Sequence, residues 1–184
     1  MDELVSKMNE LHATTFALYL KSHGFHWNVR GKLFPMYHDF FGDLYEEVYG
    51  AVDRTAEEIR ALGGYPVAGL AAIQKISRIS DAPETMIDAD QMLWALYYDN
   101  QTVIDCLNEV HLMGGSLKMY GLLNFIEERI DAHKKHAWQL SSSMDIAPAT
   151  AVAVTAPTSE QVEDASSVAP LDEEVKTYYI NSNE

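Results

Sequence analysis

The sequence predicts an all-α protein: a four-helix bundle in which a long connection containing one short helix joins the second and third long helices. Three observations predict it. Four segments place apolar residues at alternating steps of three and four, the spacing of one face of a helix. Short turns separate the first two segments and the last two, whereas a long stretch containing Pro66 and Pro83 separates the middle ones. Composition changes sharply after Met144.

The first two helices form a predicted hairpin. The second helix follows a break at 28–31, has Pro35 at a position compatible with its first turn, and ends at Leu62-Gly63-Gly64. The first helix ends near His23-Gly24, and its apolar stripe is Leu4, Met8, Leu11, Thr15 and Leu18. The stripe of the second helix is long enough to need a large partner surface: Phe41, Leu44, Tyr45, Val48, Val52, Thr55, Ile59 and Leu62.

The second half repeats this pattern after a short helix predicted at Leu70–Ile76. A start signal at 80–84 introduces the third long helix, which Gly114-Gly115 is expected to stop, and the fourth runs from Ser116 to about Leu140. Their stripes are Leu93, Leu96, Tyr97, Ile104, Leu107 and His111, and then Leu123, Ile126, Ile130, His133, Ala137 and Leu140. Four long helices with one long crossover make up the ferritin-like bundle.

Residues 145–184 are predicted to be a largely disordered acidic tail behind a bundle domain of residues 1–144. The formal charge of −15 divides almost equally, with −8 in the bundle and −7 in the tail. Such an acidic chain is repelled by nucleic acid and by anionic membranes. No apolar run approaches the ~18 residues that span a bilayer, so we expect a cytoplasmic protein. The lone Cys106 is expected to be a small core residue.

A metal site inside the bundle is not expected. Such sites need Glu-x-x-His, which places two ligands on one helix face, and none of the 7 histidines has glutamate three positions before it. We therefore expect an apolar bundle centre. His133 is expected to be a hydrogen-bonded core histidine, and His136 to lie at a solvated helix end.

A different constellation lies on the second helix. His38, Asp53 and Glu57 share a face that the apolar stripe leaves free. His38 and Asp53 are about 22 Å apart along the axis, too far to share an ion within one chain. In a two-fold dimer with antiparallel second helices, however, the His38 end of one subunit lies beside the acidic end of its partner.

His26 lies at the His38 end, so the candidate ligands are His26 and His38 of one subunit with Asp53 and Glu57 of the other. Two imidazoles and two carboxylates suit Fe(II) or Zn(II) better than Ca(II) or Mg(II). From spacing alone a simpler interpretation competes, in which the acids form an ordinary solvated helix face and His38 is a surface histidine.

Several of these residues lie in a recognisable pattern. The run His26-Trp27-Asn28-Val29-Arg30-Gly31 precedes Phe34 and His38, and later come Asp53, Ala56 and Glu57 with Leu62-Gly63-Gly64-Tyr65-Pro66. In residue types and spacing this pattern resembles the signature of the Dps-type mini-ferritins, and the likeness covers residues 1–142.

The resemblance implies a hollow dodecameric shell built from two-fold dimers, which bind iron at their interfaces and store it as ferric mineral. It implies that His26, His38, Asp53 and Glu57 hold a di-iron site in which Glu57 bridges the irons and zinc can substitute. Trp27 would be the electron donor beside the site, although plain interface packing also explains a tryptophan there. The implied reaction oxidises Fe(II), with hydrogen peroxide preferred over dioxygen.

Departures from the pattern keep an alternative open. Gly42 stands four residues after His38, where family members often carry an acid, Tyr37 replaces an aliphatic residue, and Glu58 replaces an arginine. The alternative is a ferritin-like shell or metal-binding protein with weak or no ferroxidase activity. DNA binding, which in the family depends on a basic terminus, is not expected of a chain with acidic ends.

Overall fold

The computed structural model describes residues 1–144, and within them it confirms the all-α, ferritin-like prediction. It contains five helices and no strand in this range: α1 (Asp2–Asn28), α2 (Phe34–Ala61), α3 (Leu70–Ile76), α4 (Ala89–Ser116) and α5 (Tyr120–Ser142). None of these helices is both long enough and apolar enough to cross a membrane. The predicted tail, residues 145–184, lies outside the described residues.

Contacts between the long helices establish their directions. Between α1 and α4, Lys21 pairs with Asp99 at 2.7 Å, and Lys7 near the start of α1 pairs with Glu109 near the end of α4, also at 2.7 Å. Residues later in α1 therefore contact residues earlier in α4, so the two helices are antiparallel. Because α1 and α2 form a hairpin, α2 and α4 run in the same direction. The chain must consequently return along the bundle before α4 begins.

The connection between α2 and α4 runs along α1, and polar contacts hold it there. The Arg78 guanidinium lies between Glu10 of α1 and Glu109 of α4, with Nε 2.6 Å from Glu10 Oε1 and Nη1 2.6 Å from Glu109 Oε1. Earlier in the connection, the main-chain N–H of Val67 donates to Asn9 Oδ1 at 2.9 Å. These polar contacts fix a connection that buries few apolar side chains of its own.

The predicted apolar stripes do form much of the core. Leu4, Met8 and Leu18 of α1, together with Phe41 and Ile59 of α2, are completely buried. Burying a side chain of this size contributes roughly 1.5–3 kcal/mol, so the stripes account for much of the cohesion of the bundle. Cys106 is buried as expected.

The expectation of an apolar bundle centre is wrong. The Lys21–Asp99 ion pair is buried, with 4% and 6% of the two residues exposed. A second polar group lies between α4 and α5, where His133 Nδ1 approaches Asn100 Oδ1 at 2.7 Å. The stripe rule marks which positions face inward, but it does not exclude polar side chains that find partners there.

Four helix boundaries differ from the sequence prediction, among them the start of α5, which lies at Tyr120 rather than Ser116. The first helix continues through His23-Gly24 to Asn28, since a single glycine is tolerated within a helix that packs well on its neighbours. The third long helix begins at Ala89 rather than at 80–84, because Asp88 and Gln91 form a capping box there.

Gly114-Gly115 lies inside α4 and does not stop it. A Cβ at Gly114 would come within 3.3 Å of Leu123 Cδ2, so this glycine allows α5 to approach closely. The chain turns instead at Lys118, which adopts a left-handed φ of 59°.

Candidate metal site at the end of α1

The two candidate histidines meet where α1 ends and α2 begins. His26 Nδ1 donates to the main-chain oxygen of His38 at 2.7 Å, and His38 Nδ1 donates to the main-chain oxygen of His26 at 2.8 Å. The two rings are stacked, with centroids 3.7 Å apart and planes inclined by 22°. The extension of α1 beyond Gly24 makes this contact possible, because it carries His26 alongside the first turns of α2.

These hydrogen bonds determine which nitrogen of each ring is available. A carbonyl oxygen can only accept, so both Nδ1 atoms carry a proton. In the neutral rings both Nε2 atoms are therefore left with a lone pair, which is the form that binds a metal ion. Main-chain acceptors on Nδ1 are the usual device for orienting a ligating imidazole. The pair of His26 and His38 thus fits a transition metal, and each ring is only partly buried.

The two candidate carboxylates lie elsewhere on the subunit. Asp53 and Glu57 are exposed on α2. Within residues 1–144 no group of three or more His, Cys, Asp or Glu side chains is close enough to hold a metal ion. The structure therefore brings the histidines together with each other but not with the acids. In one subunit the two histidines therefore lie at one place and the two carboxylates at another, and each place holds half of the candidate ligands.

Aromatic side chains of α1 and α2 pack against His23 and the neighbouring histidine pair. The Tyr45 ring stacks on His23 with centroids 3.9 Å apart and meets His26 edge-on at 5.2 Å. Trp27 also packs against His23, with ring centroids 4.2 Å apart, and 61% of it is exposed in the single chain. Desolvation, with a smaller contribution from His26, lowers the pKa of His23. The neutral His23 ring packs on these aromatic side chains, and its Nδ1 lies 3.4 Å from the Tyr19 hydroxyl.

Gly42 faces the site from the next turn of α2. A Cβ at this position would lie 3.4 Å from Cε1 and Nδ1 of His26, which is a close but ordinary contact. A carboxylate here would lie next to His26 without a severe clash. The glycine therefore leaves one side of the histidine pair without a protein ligand.

Sequence reasoning missed a polar network inside the bundle. Arg129 Nη2 donates to Glu47 Oε2 at 2.9 Å, and His136 Nε2 lies 3.2 Å from the same carboxylate oxygen. His136 is buried, so the expectation of a solvated helix end is wrong, whereas His133 is the hydrogen-bonded core histidine that was predicted. The i, i+4, i+7 spacing of Arg129, His133 and His136 places them on one face of α5, the only signal the sequence offered.

Burial controls the protonation of this network. Desolvation holds the pKa of His133 well below its usual value, with Arg129 and His136 adding to the effect. Desolvation also lowers the pKa of His136, against the attraction of Glu47. Desolvation would raise the pKa of Glu47, but the Arg129 guanidinium, with smaller contributions from His136 and Lys135, outweighs it, so the pKa of that carboxyl is lowered. The network therefore combines one ion pair with neutral imidazoles.

Comparison with known proteins agrees with this architecture. The family model of the ferritin-like domain matches residues 5–147. DNA protection during starvation protein 2 of Bacillus anthracis is 31% identical, over 78% of this chain and 97% of its own length.

Solved structures give the same result. The crystal structure of a Dps protein from Bacillus brevis superposes with a TM-score of 0.73 at 28% identity, covering 77% of this chain and 94% of that one. Dps from Staphylococcus aureus gives a TM-score of 0.73 at 29% identity, over 77% and 95% of the two chains. The chain belongs to the Dps proteins of the ferritin-like family.

Proposed function

We propose that the protein oxidises Fe(II) at a site shared between two subunits, stores the Fe(III) inside a dodecameric shell, and so protects the cell against peroxide. Hydrogen peroxide is the preferred oxidant, and iron is the substrate and the cargo. The observation that carries the proposal is the reciprocal bonding of His26 and His38, which leaves both Nε2 atoms free to bind a metal. The family to which the chain belongs agrees with this activity.

The proposed site is completed by a second copy of the chain. Asp53 and Glu57 are both exposed and make no ion pair within residues 1–144, although Arg54 and Glu58 are their neighbours in sequence. In the antiparallel arrangement of two α2 helices they reach the partner's histidine pair, and two-fold symmetry produces two such sites. The single chain exposes large apolar side chains around the histidines, which such a dimer would cover: Trp27, Leu33, Phe34 and Met36.

Each residue has a defined task in this proposal. The two imidazoles hold Fe(II) without changing the net charge, while Asp53 and Glu57 of the partner offset the positive charge that rises as Fe(II) becomes Fe(III). Glu57 bridges two irons when both positions are filled, and Trp27 donates an electron from beside the site. Two electrons delivered in one encounter reduce peroxide to water without releasing hydroxyl radical.

The test compares the wild type with a His26→Ala/His38→Ala variant. Fe(II) and hydrogen peroxide are added, and the rise of ferric absorbance is followed in stopped flow. The proposal expects the variant to oxidise Fe(II) no faster than buffer, with an unchanged circular dichroism spectrum. A His12→Ala variant is the matched control, because His12 bonds to Val67 on the crossover and is remote from the pair. Equal rates in the wild type and the double variant would eliminate the proposal.

Gly42 favours one rival, a shell that binds metal but oxidises it poorly. Without a carboxylate at this position the second iron is held through water or not at all. The rival predicts metal in the site, detected by equilibrium dialysis against Zn(II), together with Fe(II) oxidation at the rate of buffer. Zn(II) is a suitable probe because it takes imidazole and carboxylate ligands and has no redox chemistry.

A further inference from the structure

Reducing one hydrogen peroxide to water needs more electrons than a single bound Fe(II) can give. Peroxide takes up two electrons on its way to water, whereas each Fe(II) gives one. Gly42 brings no side-chain ligand to the part of His26 that it faces, where a Cβ would lie 3.4 Å from the ring. A site that holds one iron at a time therefore needs an electron from the protein. Trp27 lies against His23, whereas Tyr45 contacts His26 itself, so this inference, which rests on the proposed function, makes Tyr45 the first donor and Trp27 a second one.

A continuous run of tyrosine rings begins at the histidine pair. Tyr45 meets His26 at a centroid distance of 5.2 Å. Tyr19 follows at 6.3 Å from Tyr45, and Tyr49 lies 4.9 Å from Tyr19. The run alternates between α2 and α1, and 57% of Tyr49 is exposed in the single chain. Ring contacts at these distances are closer than electron transfer between side chains requires.

The contacts of Tyr45 also provide for its proton. A tyrosine loses its phenolic proton when it is oxidised, and the Tyr45 hydroxyl donates to Glu46 Oε1 at 3.4 Å. The ring is held on both sides, by stacking on His23 and by the edge contact with His26. Tyr45 thus contacts both the candidate metal ligand His26 and a carboxylate that can accept the proton.

We propose that Tyr45 supplies the second electron when the site holds a single Fe(II), and that Tyr19 and Tyr49 re-reduce it by relaying electrons to it. Fe(II) and Tyr45 each give one electron to hydrogen peroxide, whose O–O bond breaks. The phenolic proton, passed through Glu46, and one proton from solvent complete two water molecules. The products are Fe(III), two waters and a neutral tyrosyl radical on Tyr45. Tyr19 then gives one electron and one proton to Tyr45, and Tyr49 gives the same to Tyr19, so the radical finally lies on the exposed Tyr49.

The test detects the radical directly. Wild-type protein labelled with ring-deuterated tyrosine is loaded with one Fe(II) per subunit, mixed with hydrogen peroxide, frozen within milliseconds and measured by electron paramagnetic resonance. We expect a tyrosyl signal that narrows with the label and is mostly lost in Tyr45→Phe. Tyr45→Phe should also release more hydroxyl radical, measured with a spin trap. Phenylalanine preserves the ring packing, so a merely structural role would leave both readings unchanged.

Two further variants keep the test decisive. Tyr65→Phe is the matched control, because Tyr65 lies on the crossover with 79% of its surface exposed, and it should behave as the wild type. Gly42→Asp should lower the tyrosyl yield, since a better-held second iron supplies the second electron. A full tyrosyl signal in Tyr45→Phe, or a radical that only Trp27→Phe removes, would overturn the relay.

The same experiment separates this inference from the proposed function. If the wild type oxidises Fe(II) faster than His26→Ala/His38→Ala while Tyr45→Phe retains the radical, the relay alone fails. If the wild type oxidises Fe(II) only at the rate of that double variant and forms no radical, the proposed function fails and the relay fails with it.

Discussion

Replacing Lys21 by methionine should strongly destabilise the protein, because it leaves a buried carboxylate without its counterion. Lys21 Nζ lies 2.7 Å from Asp99 Oδ2, and side-chain exposures of 4% and 8% leave little room for water to replace the ammonium group. Methionine matches the length of the lysine stem and fills the same space. The expected loss is therefore electrostatic rather than a cavity effect.

The size of the loss has an upper limit set by protonation. A carboxyl group with an ordinary pKa near 3.9 can be neutralised at pH 7 for about 4 kcal/mol, at 1.36 kcal/mol per pH unit. Breaking a buried pair typically costs about 3–5 kcal/mol, which agrees with this limit. Burial already raises the pKa of Asp99. The same arithmetic gives about 1.5 kcal/mol at pH 5, so the penalty of Lys21→Met should fall by more than half.

The assay is urea unfolding followed by circular dichroism at fixed protein concentration, at pH 7 and at pH 5. Fixed concentration matters because assembly stabilises the folded chain by mass action. Glu128→Gln is the control, because it breaks the ion pair of Glu128 with Arg54, whose side chains are 63% and 49% exposed. This substitution should lower the free energy of unfolding by less than about 1 kcal/mol. Lys21→Met/Asp99→Leu should recover most of the stability. A Lys21→Met penalty below 1 kcal/mol, or one equal at both pH values, would refute the reasoning.

Three other predictions concern the site, the interior network and the surface charge. Gly42→Asp should bind a second Co(II) ion per site in anaerobic calorimetric titrations, and an unchanged stoichiometry would contradict the role given to Gly42. Because burial keeps His133 neutral in the folded chain while the unfolded chain protonates below about pH 6.5, stability should decrease as the pH falls from 6.5. His133→Gln should reduce that slope in urea titrations between pH 7 and pH 5, and an unchanged slope would count against it. The pure protein should not shift or compact plasmid in a gel at about 0.1 M salt, because its charge of −15 opposes the phosphates.

The helix content was predictable because it depends on local periodicity. The stripe positions Leu4, Met8 and Leu18 were placed correctly, as was the short helix α3. Helix ends were less accurate, since they depend on single capping contacts. The Asp88–Gln91 capping box starts α4, and no periodicity reveals which of several polar residues will act as the cap.

The candidate site was predictable in composition but not in geometry. Sequence spacing placed His26 and His38 at the same end of a hairpin, yet their reciprocal main-chain bonds depend on how α1 continues past Gly24. The interior network was missed for a different reason. Glu47 and Arg129 are 82 residues apart, and only the tertiary fold identifies such partners.

The most direct test of the shared site is complementation between two inactive variants. One chain carries His26→Ala/His38→Ala and the other Asp53→Asn/Glu57→Gln, and the two are unfolded, mixed in equal amounts and reassembled together. In a mixed two-fold dimer, one site contains both defects and the other contains none.

Random pairing makes half of the dimers mixed, so ferroxidase activity should return to about a quarter of the wild-type value, although each variant alone is inactive. Mixed assemblies that remain as inactive as the separate variants, with mixing verified by native mass spectrometry, would contradict a site built from two subunits.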